Sequence, residues 1–241
     1  MLEGCRMPIS VIKVSSTQCE QVTDLLHDSV RDKVKYWDEF YSTKDARQAS
    51  LPSQFAAFVT QEAGDAHLII EVGCGTGRDS FFFARHGFEV VAIDGSHAAI
   101  DRCEEMRRLG SLSGASFVCA SVGSPDFLPA LQEARAKADG SVLAYARFFL
   151  HAITEKEEHA FLSDMATVLK AGDRIALEYR TVRDASGAKV TPAHYRRFVD
   201  PSEVFASAGR LGFTVEYAVE GFGFAKYRDD DAYVARCILG K

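Results

Sequence analysis

Residues 68–94 read LIIEVGCGTGRDSFFFARHGFEVVAID, and this stretch determines how the rest of the 241-residue chain is interpreted. Its apolar beginning, Leu68–Val72, predicts a strand buried on both faces of a sheet. Gly73, Gly75 and Gly77 follow, and glycine allows positive φ angles and a close approach between the backbone and a ligand. The stretch therefore begins as a buried strand that leads into a ligand-binding turn.

A helix and a second strand complete this unit. Residues 80–85 predict a helix whose N-terminus follows the turn, and residues 89–93 predict a second apolar strand that ends at Asp94. In strand–loop–helix–strand units that bind nucleotides, an acidic residue about 20 positions after the first glycine accepts hydrogen bonds from the ribose hydroxyls. Asp94 has that position relative to Gly73, so the unit predicts a nucleoside site in a parallel sheet.

The glycine spacing and the flanking carboxylates distinguish between classes of nucleotide. A dinucleotide site has the pattern G-x-G-x-x-G, with the pyrophosphate at the helix N-terminus, whereas the pattern in this chain is G-x-G-x-G. Glu71 and Asp79 flank the turn, and two carboxylates there would repel a pyrophosphate. They would suit a ligand that carries an ammonium and a sulfonium. A nucleotide-binding turn of unspecified kind is the alternative.

The unit E-V-G-C-G-T-G with Asp94 resembles motif I and the following acidic position of class I S-adenosylmethionine (SAM) dependent methyltransferases. The resemblance extends from about Leu68 to the C-terminus and implies SAM as cofactor. The family usually has an acid after the third strand to meet the adenine amino group, and Ser121 occupies that position here. The residues expected to hold the cofactor are Trp37, Glu71, Gly73, Cys74, Gly75, Asp79, Asp94, Gly95, Ser96 and Ser121.

The rest of the sequence alternates between predicted helices and strands, which indicates an α/β, doubly wound (Rossmann-like) domain. The resemblance implies a seven-stranded, mostly parallel sheet with an antiparallel last strand. The five strands predicted after Asp94 are 115–120, 141–146, 174–179, 213–220 and 233–239. Four predicted helix N-caps separate them or precede them: Ser53, Ser96, Thr154 (with Glu157 in capping-box spacing) and Asp200. Gly172 is predicted to cap the end of the helix that Thr154 begins.

The N-terminal part of the chain has a different pattern. Residues 1–20 are weakly patterned and are expected to form a flexible tail, and residues 21–60 are expected to form a helical cap or lid. Residues 61–241 would then form the methyltransferase domain. The segment KYWDEFYS (35–42), which contains Trp37, resembles the N-terminal helix that folds over the cofactor in many small-molecule methyltransferases. The alternative is an ordinary amphipathic helix that packs on the core.

The acceptor should bind at the carboxyl ends of the strands, where ligands bind in such sheets. Basic residues follow the fourth and fifth predicted strands, although a buried His151 and a solvated HYRRF loop are the alternatives. A hydroxyl acceptor would need a general base, whereas a phosphate, phosphonate or carboxylate needs cations to hold it. The residues expected to hold or deprotonate the acceptor are Arg147, His151, His194, Arg196 and Arg197, with Arg180 and Arg183 nearby.

Composition limits the other classes of function. The formal net charge of −6 argues against nucleic-acid binding, and no apolar run is long enough to cross a membrane. The sequence lacks a signal-peptide pattern, and its six cysteines are scattered without C-x-x-C spacing. Cys74, Cys119 and Cys237 fall in predicted core elements. These features predict a cytoplasmic protein without a metal site.

The sequence therefore favours a SAM-dependent O-methyltransferase of a small acceptor that is anionic or sugar-linked. A small-molecule N-methyltransferase is the second possibility, and it predicts acidic residues rather than arginines at the acceptor site. A catalytically silent binding protein on the same fold is the third.

Overall fold

The computed structural model describes residues 35–42, 51–110, 113–185, 195–226 and 230–241. The predictions for residues 1–20, for residues 21–34 and 43–50 of the cap, and for His194 lie outside the described residues. The helices are 35–42 (α1), Gln54–Glu62 (α2), Arg78–Arg85 (α3), His97–Gly110 (α4), Phe127–Ala136 (α5), Glu155–Val168 (α6) and Pro201–Arg210 (α7). The strands are Leu68–Val72 (β1), Glu89–Asp94 (β2), Ala115–Cys119 (β3), Val142–Arg147 (β4), Arg174–Arg180 (β5), Thr214–Gly221 (β6) and Val234–Gly240 (β7).

The described strands form one seven-stranded sheet in the order β3-β2-β1-β4-β5-β7-β6. Neighbouring strands from β3 to β5 are parallel, whereas β7 runs antiparallel to both β5 and β6. The prediction of a doubly wound, mostly parallel sheet with an antiparallel last strand is confirmed. Strands β2 and β3 are added on one side of β1, whereas β4 and the strands after it are added on the other side. The switch point between β1 and β4 is where such folds bind ligands.

Strand β1 is buried along its whole length because both faces of the sheet are covered. Leu68, Ile70 and Val72 belong to one hydrophobic core, and Ile69 belongs to the core on the opposite face. This arrangement explains why β1 reads as a continuous apolar run rather than as an alternating pattern. Its carboxyl end delivers the glycine turn to the switch point.

The predicted N-caps are confirmed. The side chain of Ser53 accepts a hydrogen bond from the backbone of Ala56, and Thr154 forms a complete capping box with Glu157. Ser96 and Asp200 cap their helices in the same way. The prediction for Gly172 is wrong: α6 ends at Val168, and Gly172, with φ +89°, lies in the turn before β5.

The thiol environments are similar to those predicted. Cys74 and Cys237 are buried free cysteines, and Cys119 is half-buried on β3. Across the described ranges, no helix combines the length and the apolar character that a membrane crossing requires.

Candidate cofactor and acceptor site

The glycine turn has a backbone that only glycine adopts readily. Gly73, Gly75 and Gly77 have φ angles of +75°, +55° and +72°. A Cβ atom at Gly73 would lie 2.8 Å from the ring of Phe149, and one at Gly75 would lie 2.6 Å from the hydroxyl of Tyr41. The positive φ angles and the close packing therefore both require glycine. Such a requirement is typical of a turn whose backbone approaches a ligand closely.

Asp94 connects this turn to helix α4. One of its carboxylate oxygens accepts a hydrogen bond from the Gly75 N–H at 2.8 Å, and the other accepts from the Ser96 N–H at 2.9 Å. Burial raises the pKa of Asp94, and these backbone hydrogen bonds oppose the shift. Because a carboxylate oxygen can accept more than one hydrogen bond, Asp94 keeps acceptor capacity for a ribose while it fixes the turn.

Glu71 is buried beneath the turn and is paired with a neutral partner. Its carboxylate accepts a hydrogen bond from the hydroxyl of Ser80. Burial raises the pKa of Glu71 to about 8, and the charge of Asp79 adds to the shift. At neutral pH the Glu71 carboxyl is therefore mostly protonated. The turn then carries one ionised carboxylate from the Glu71 and Asp79 pair rather than two, and it repels a diphosphate less strongly than the sequence predicts.

Asp79 lies at the centre of a buried hydrogen-bond network. Its carboxylate accepts from the backbone N–H and the hydroxyl of Ser53 at 2.8 and 2.7 Å, from the hydroxyl of Tyr145 at 2.8 Å and from Arg78 at 3.2 Å. Burial alone would raise the pKa of Asp79, but Arg78, Arg147 and Ser53 outweigh it, and the pKa is lowered. The network joins the starts of α2 and α3 to β4 beside the glycine turn.

Replacing Tyr145 with Phe is expected to lower the free energy of unfolding by about 1 kcal/mol, because buried Asp79 would lose one of its four donors. Urea denaturation measures the change. Tyr217→Phe is a matched control, since the Tyr217 hydroxyl makes no hydrogen bond to a described residue and the ring is half-buried. Equal stability of the two variants would contradict a role for Tyr145 in the network.

Helix α1 contacts the turn and α4 through Asp38 and Tyr41, which are not among the residues predicted to hold the cofactor. Asp38 accepts hydrogen bonds from the Ser96 hydroxyl at 2.5 Å and from the Ala98 N–H at 3.2 Å. The hydroxyl of Tyr41 reaches Gly75, and burial raises its pKa well above the usual value. Trp37 lies next to these residues and stacks on the Tyr41 ring with a centroid distance of 5.8 Å. Helix α1 thus lies against the glycine turn.

The other predicted cofactor residues lie on the same edge of the sheet. The ends of β2 and β3 lie close together at Gly95, where a Cβ atom would lie 2.3 Å from the hydroxyl of Ser121. Cys74 is buried, and its sulfur lies 3.8 Å from the carbonyl oxygen of Gly75. The sulfur of Cys103, which the sequence did not indicate, lies 3.3 Å from the same oxygen.

Arg147 is the predicted acceptor residue at the carboxyl end of β4. Its Nε donates a hydrogen bond to one oxygen of Glu178 at 2.7 Å, and Nε of Arg236 donates to the other oxygen at the same distance. No described residue accepts a hydrogen bond from the Nη atoms of Arg147, and 16% of its side chain is exposed. Its guanidinium carbon lies 4.2 Å from the centroid of the Phe148 ring.

His151 lies in a short 3₁₀ helix, Leu150–Ala152, and is only 6% exposed. Its Nδ1 accepts a hydrogen bond from the backbone N–H of Arg180 at 3.3 Å. In the neutral ring the proton is then on Nε2, which makes Nε2 a donor rather than a base. The ring edge contacts Phe148, a non-glycine residue with φ +55°; such outliers cluster at functional sites.

Most of the other predicted basic residues are ion-paired. Arg197 pairs with Glu158 and donates to the carbonyl oxygen of Leu150 at 3.3 Å. Arg180 pairs with Asp184 at 2.6 Å and with Asp230 at 2.5 Å.

Arg196 is close to the Arg180 ion-pair cluster. Burial and the charge of Arg180 lower the pKa of Arg196, and Asp184 and Asp230 oppose that shift. At the surface, Arg183 pairs with Glu220 at 3.1 Å. The predicted basic cluster is therefore largely neutralised by acids that the sequence did not connect with it.

Comparisons with known proteins agree with this geometry. Residues 69–172 match the family model described as a methyltransferase domain. The phosphoethanolamine N-methyltransferase of Triticum aestivum is 24% identical over 202 residues, which cover 79% of this chain and 38% of that protein. The chain thus spans well under half the length of that curated relative.

Solved structures share the fold at low sequence identity. A SAM-dependent methyltransferase from Methanosarcina mazei is 18% identical and has a TM-score of 0.60, with 76% of this chain and 96% of that chain covered. The geranyl diphosphate C-methyltransferase from Streptomyces coelicolor, in complex with S-adenosyl-L-homocysteine, is 16% identical and has a TM-score of 0.57, with 77% of each chain covered. Together with the strand order and the glycine turn, these findings show that residues 69–172 resemble a methyltransferase domain and that the chain shares the fold of S-adenosylmethionine-dependent methyltransferases.

Proposed function

We propose that this protein transfers the methyl group of SAM to an oxygen of a small acceptor that carries an anionic group, such as a phosphate, phosphonate or carboxylate. The Nη atoms of Arg147, from which no described residue accepts a hydrogen bond, are the observation that carries this proposal for the acceptor. The glycine turn, Asp94 and the α4 N-terminus support the cofactor half of it.

The cofactor would bind along the edge that the glycine turn, Gly95 and Ser121 share. Asp94 would accept hydrogen bonds from the ribose, and the backbone of the turn would approach the methionine part. Asp79 already has four protein donors, so we assign it to holding the turn rather than to contacting SAM. Asp38 and Tyr41 would close the site from α1.

Arg147 is suited to hold an anion at the switch point. Glu178 fixes its Nε and leaves the Nη atoms to a ligand. A guanidinium group can bind a phosphate or a carboxylate through two parallel hydrogen bonds. Arg180 and Arg197 bind their acidic partners through Nη atoms, which makes them weaker candidates for this role.

The reaction itself would need little from the protein beyond positioning. The sulfonium of SAM supplies the leaving group, and well-oriented reactants can recover roughly 7–11 kcal/mol of the barrier. An anionic oxygen attacks without losing a proton. The tautomer that Arg180 imposes on His151 supports such an acceptor, because Nε2 of that ring could not accept a proton.

Methylation of an amine on an anionic acceptor is the second candidate. One relative is named for phosphoethanolamine, a molecule that combines a phosphate with an amine. In that case Arg147 would hold the phosphate, and the amine would take the methyl group.

Transfer of labelled methyl groups from SAM to a panel of phosphates, phosphonates, carboxylates and their amine-bearing analogues tests both candidates. Arg147→Lys is expected to raise the KM for the anionic acceptor about tenfold, the equivalent of about 1.4 kcal/mol, because lysine cannot form a two-bond fork. Arg183→Lys is the control. Because Arg183 pairs with Glu220 at the surface, this variant should leave the acceptor KM unchanged.

Three outcomes would separate the alternatives. Labelled product only from amine-bearing acceptors would support the second candidate over the first. A raised Kd for SAM in Arg147→Lys, with an unchanged acceptor KM, would move Arg147 to the cofactor. SAM binding with no transfer to any acceptor would contradict both candidates.

A further inference from the structure

We infer that Glu178 and Arg236 are positioning residues for Arg147, and that the three side chains form a ladder with one excess positive charge that binds a single anionic group of the acceptor. The inference rests on the proposed function. Neither Glu178 nor Arg236 is among the residues expected to hold or deprotonate the acceptor.

Sheet register places the three side chains side by side. Arg147 on β4 is paired with Glu178 on β5, and Glu178 is paired with Arg236 on β7. Residues that are paired in this way project from the same face of the sheet. The ladder therefore crosses three adjacent strands near the carboxyl end of β4, on the side of the sheet where α2 packs.

Glu178 is completely buried, and both of its oxygens are occupied by guanidinium Nε atoms. Two cations sharing one anion leave a net charge of plus one in a region with little water. Burying an uncompensated charge is costly, and a ligand that supplies the missing anion would recover that cost.

Of the three ladder residues, Arg147 alone can present the excess charge to a ligand. Arg236 donates a second hydrogen bond to the carbonyl oxygen of Phe224 at 2.6 Å, and its side chain is 7% exposed. The rings of Phe55, Phe58 and Phe224 surround its guanidinium at 5.2, 5.9 and 5.0 Å. Arg236 can thus contribute charge to the site without reaching a ligand.

The nearest acid on the side of the glycine turn does not cancel the excess. Asp79 is the next acid towards the glycine turn, and the charge of Arg147 helps to lower its pKa. However, Asp79 has its own cation, because Arg78 pairs with it at 3.2 Å. Counting Arg78 and Asp79 with the three ladder residues still leaves one positive charge.

A second buried ion pair in the same molecule lacks this excess. Arg135 pairs with Asp173 at 2.7 Å near the opposite end of β5. The Asp173 carboxylate also accepts from the backbone N–H groups of Val142 and Lys170, both at 2.8 Å. One cation meets one anion there, as is expected where an ion pair only ties elements together, so the excess at the ladder points to a ligand.

The test uses inorganic phosphate as a probe of the full-length protein with S-adenosylhomocysteine bound, measured by calorimetry, together with steady-state kinetics for an acceptor found in the transfer assay. Glu178→Gln adds a positive charge to the ladder, but it leaves one acceptor oxygen for two guanidinium groups and turns an NH₂ group towards one of them. The lost orientation of Arg147 is expected to outweigh the added charge, so phosphate binding should weaken and the acceptor KM should rise, each about tenfold, with kcat and the cofactor Kd nearly unchanged. Arg236→Met keeps the packing against the three rings but removes the excess charge, and it should weaken phosphate binding by a similar factor.

Asp173→Asn is the matched control. It also breaks a buried Arg–carboxylate pair, so it should lower stability without changing the phosphate Kd or the acceptor KM. Unchanged phosphate binding in Glu178→Gln, or in Arg236→Met, would overturn the inference, as would a wild-type protein that binds no phosphate. Phosphate binding that depends on the ladder would support the inference even if no methyl transfer were found, so the two proposals fail separately.

Discussion

Replacing Asp94 with Asn is expected to weaken the binding of SAM about a hundredfold. The carboxylate accepts the N–H groups of Gly75 and Ser96, and in the proposed complex it also accepts the ribose hydroxyls. An amide would direct its NH₂ group at one of those backbone donors. Hydrogen bonds to a charged group contribute about 1.5–3 kcal/mol each, so the loss of two of them gives an effect of at least this size.

Calorimetric titration with SAM measures this effect directly. Asp101→Asn is the matched control, because it makes the same chemical change on the exposed face of α4 and should leave the Kd unchanged. NAD should bind neither variant nor the wild type. An Asp94→Asn protein that is folded and binds SAM as tightly as the wild type would show that the cofactor half of the proposal is wrong.

The helices and strands could be predicted because their determinants are local in sequence, whereas the arrangement of the sheet is implied by the family resemblance. The apolar run at β1, the glycine turn and Asp94 occur within one short stretch, and helix caps such as Thr154 with Glu157 depend on residues three positions apart. Propensity, spacing and hydrophobic pattern all indicate the same elements there. Gly172 shows where such reasoning fails, because the tertiary turn before β5, and not the end of α6, requires its positive φ.

The acceptor side could not be predicted in the same way, because its interactions join residues that are far apart in sequence. HYRRF and the arginines after β4 and β5 look like an anion-binding cluster when their partners are unknown. Register then places Glu178 next to Arg147, and the fold brings Glu158 to Arg197. The sequence identified the basic residues but not the acids that neutralise most of them.

The same limit applies to the cofactor turn. The sequence places two carboxylates beside it, and in water both of these groups would be negatively charged. The structure buries both, gives Asp79 four donors and leaves Glu71 with the Ser80 hydroxyl. Burial and hydrogen bonding determine the charge of a carboxyl group as much as its position does, and neither can be read from the local motif.

Glu71 is expected to make the protein less stable as the pH rises from about 4.5 to about 8. Burial raises its pKa in the folded protein to about 8 from the ordinary value of 4.5. Between these two values the folded state holds the proton and the unfolded state has lost it. Stability that depends on the proton is therefore complete below pH 4.5 and is lost progressively as the pH rises towards 8.

The size of this effect follows from the difference between the two pKa values. The slope of stability against pH approaches about 1.4 kcal/mol per unit within the window, which amounts to about 3 kcal/mol between pH 5 and pH 8. Glu71→Gln removes the titration and keeps an oxygen that can accept from Ser80. The free energy of unfolding of the variant should therefore rise relative to that of the wild type across that range, and the variant should be the more stable protein at pH 8.

Urea denaturation of both proteins at pH 5, 6.5 and 8 measures the difference, and comparing them removes the contribution of every other titrating group. Glu89→Gln, at the exposed start of β2, is the matched control and should follow the wild type at each pH. A constant difference between wild type and Glu71→Gln across the range would mean that Glu71 is ionised throughout. In that case Glu71 and Asp79 would both present a negative charge to the ligand, as the sequence predicts. If instead the stability of the wild type falls relative to that of Glu71→Gln as the pH rises, Asp94 is the main anionic contact for the cofactor.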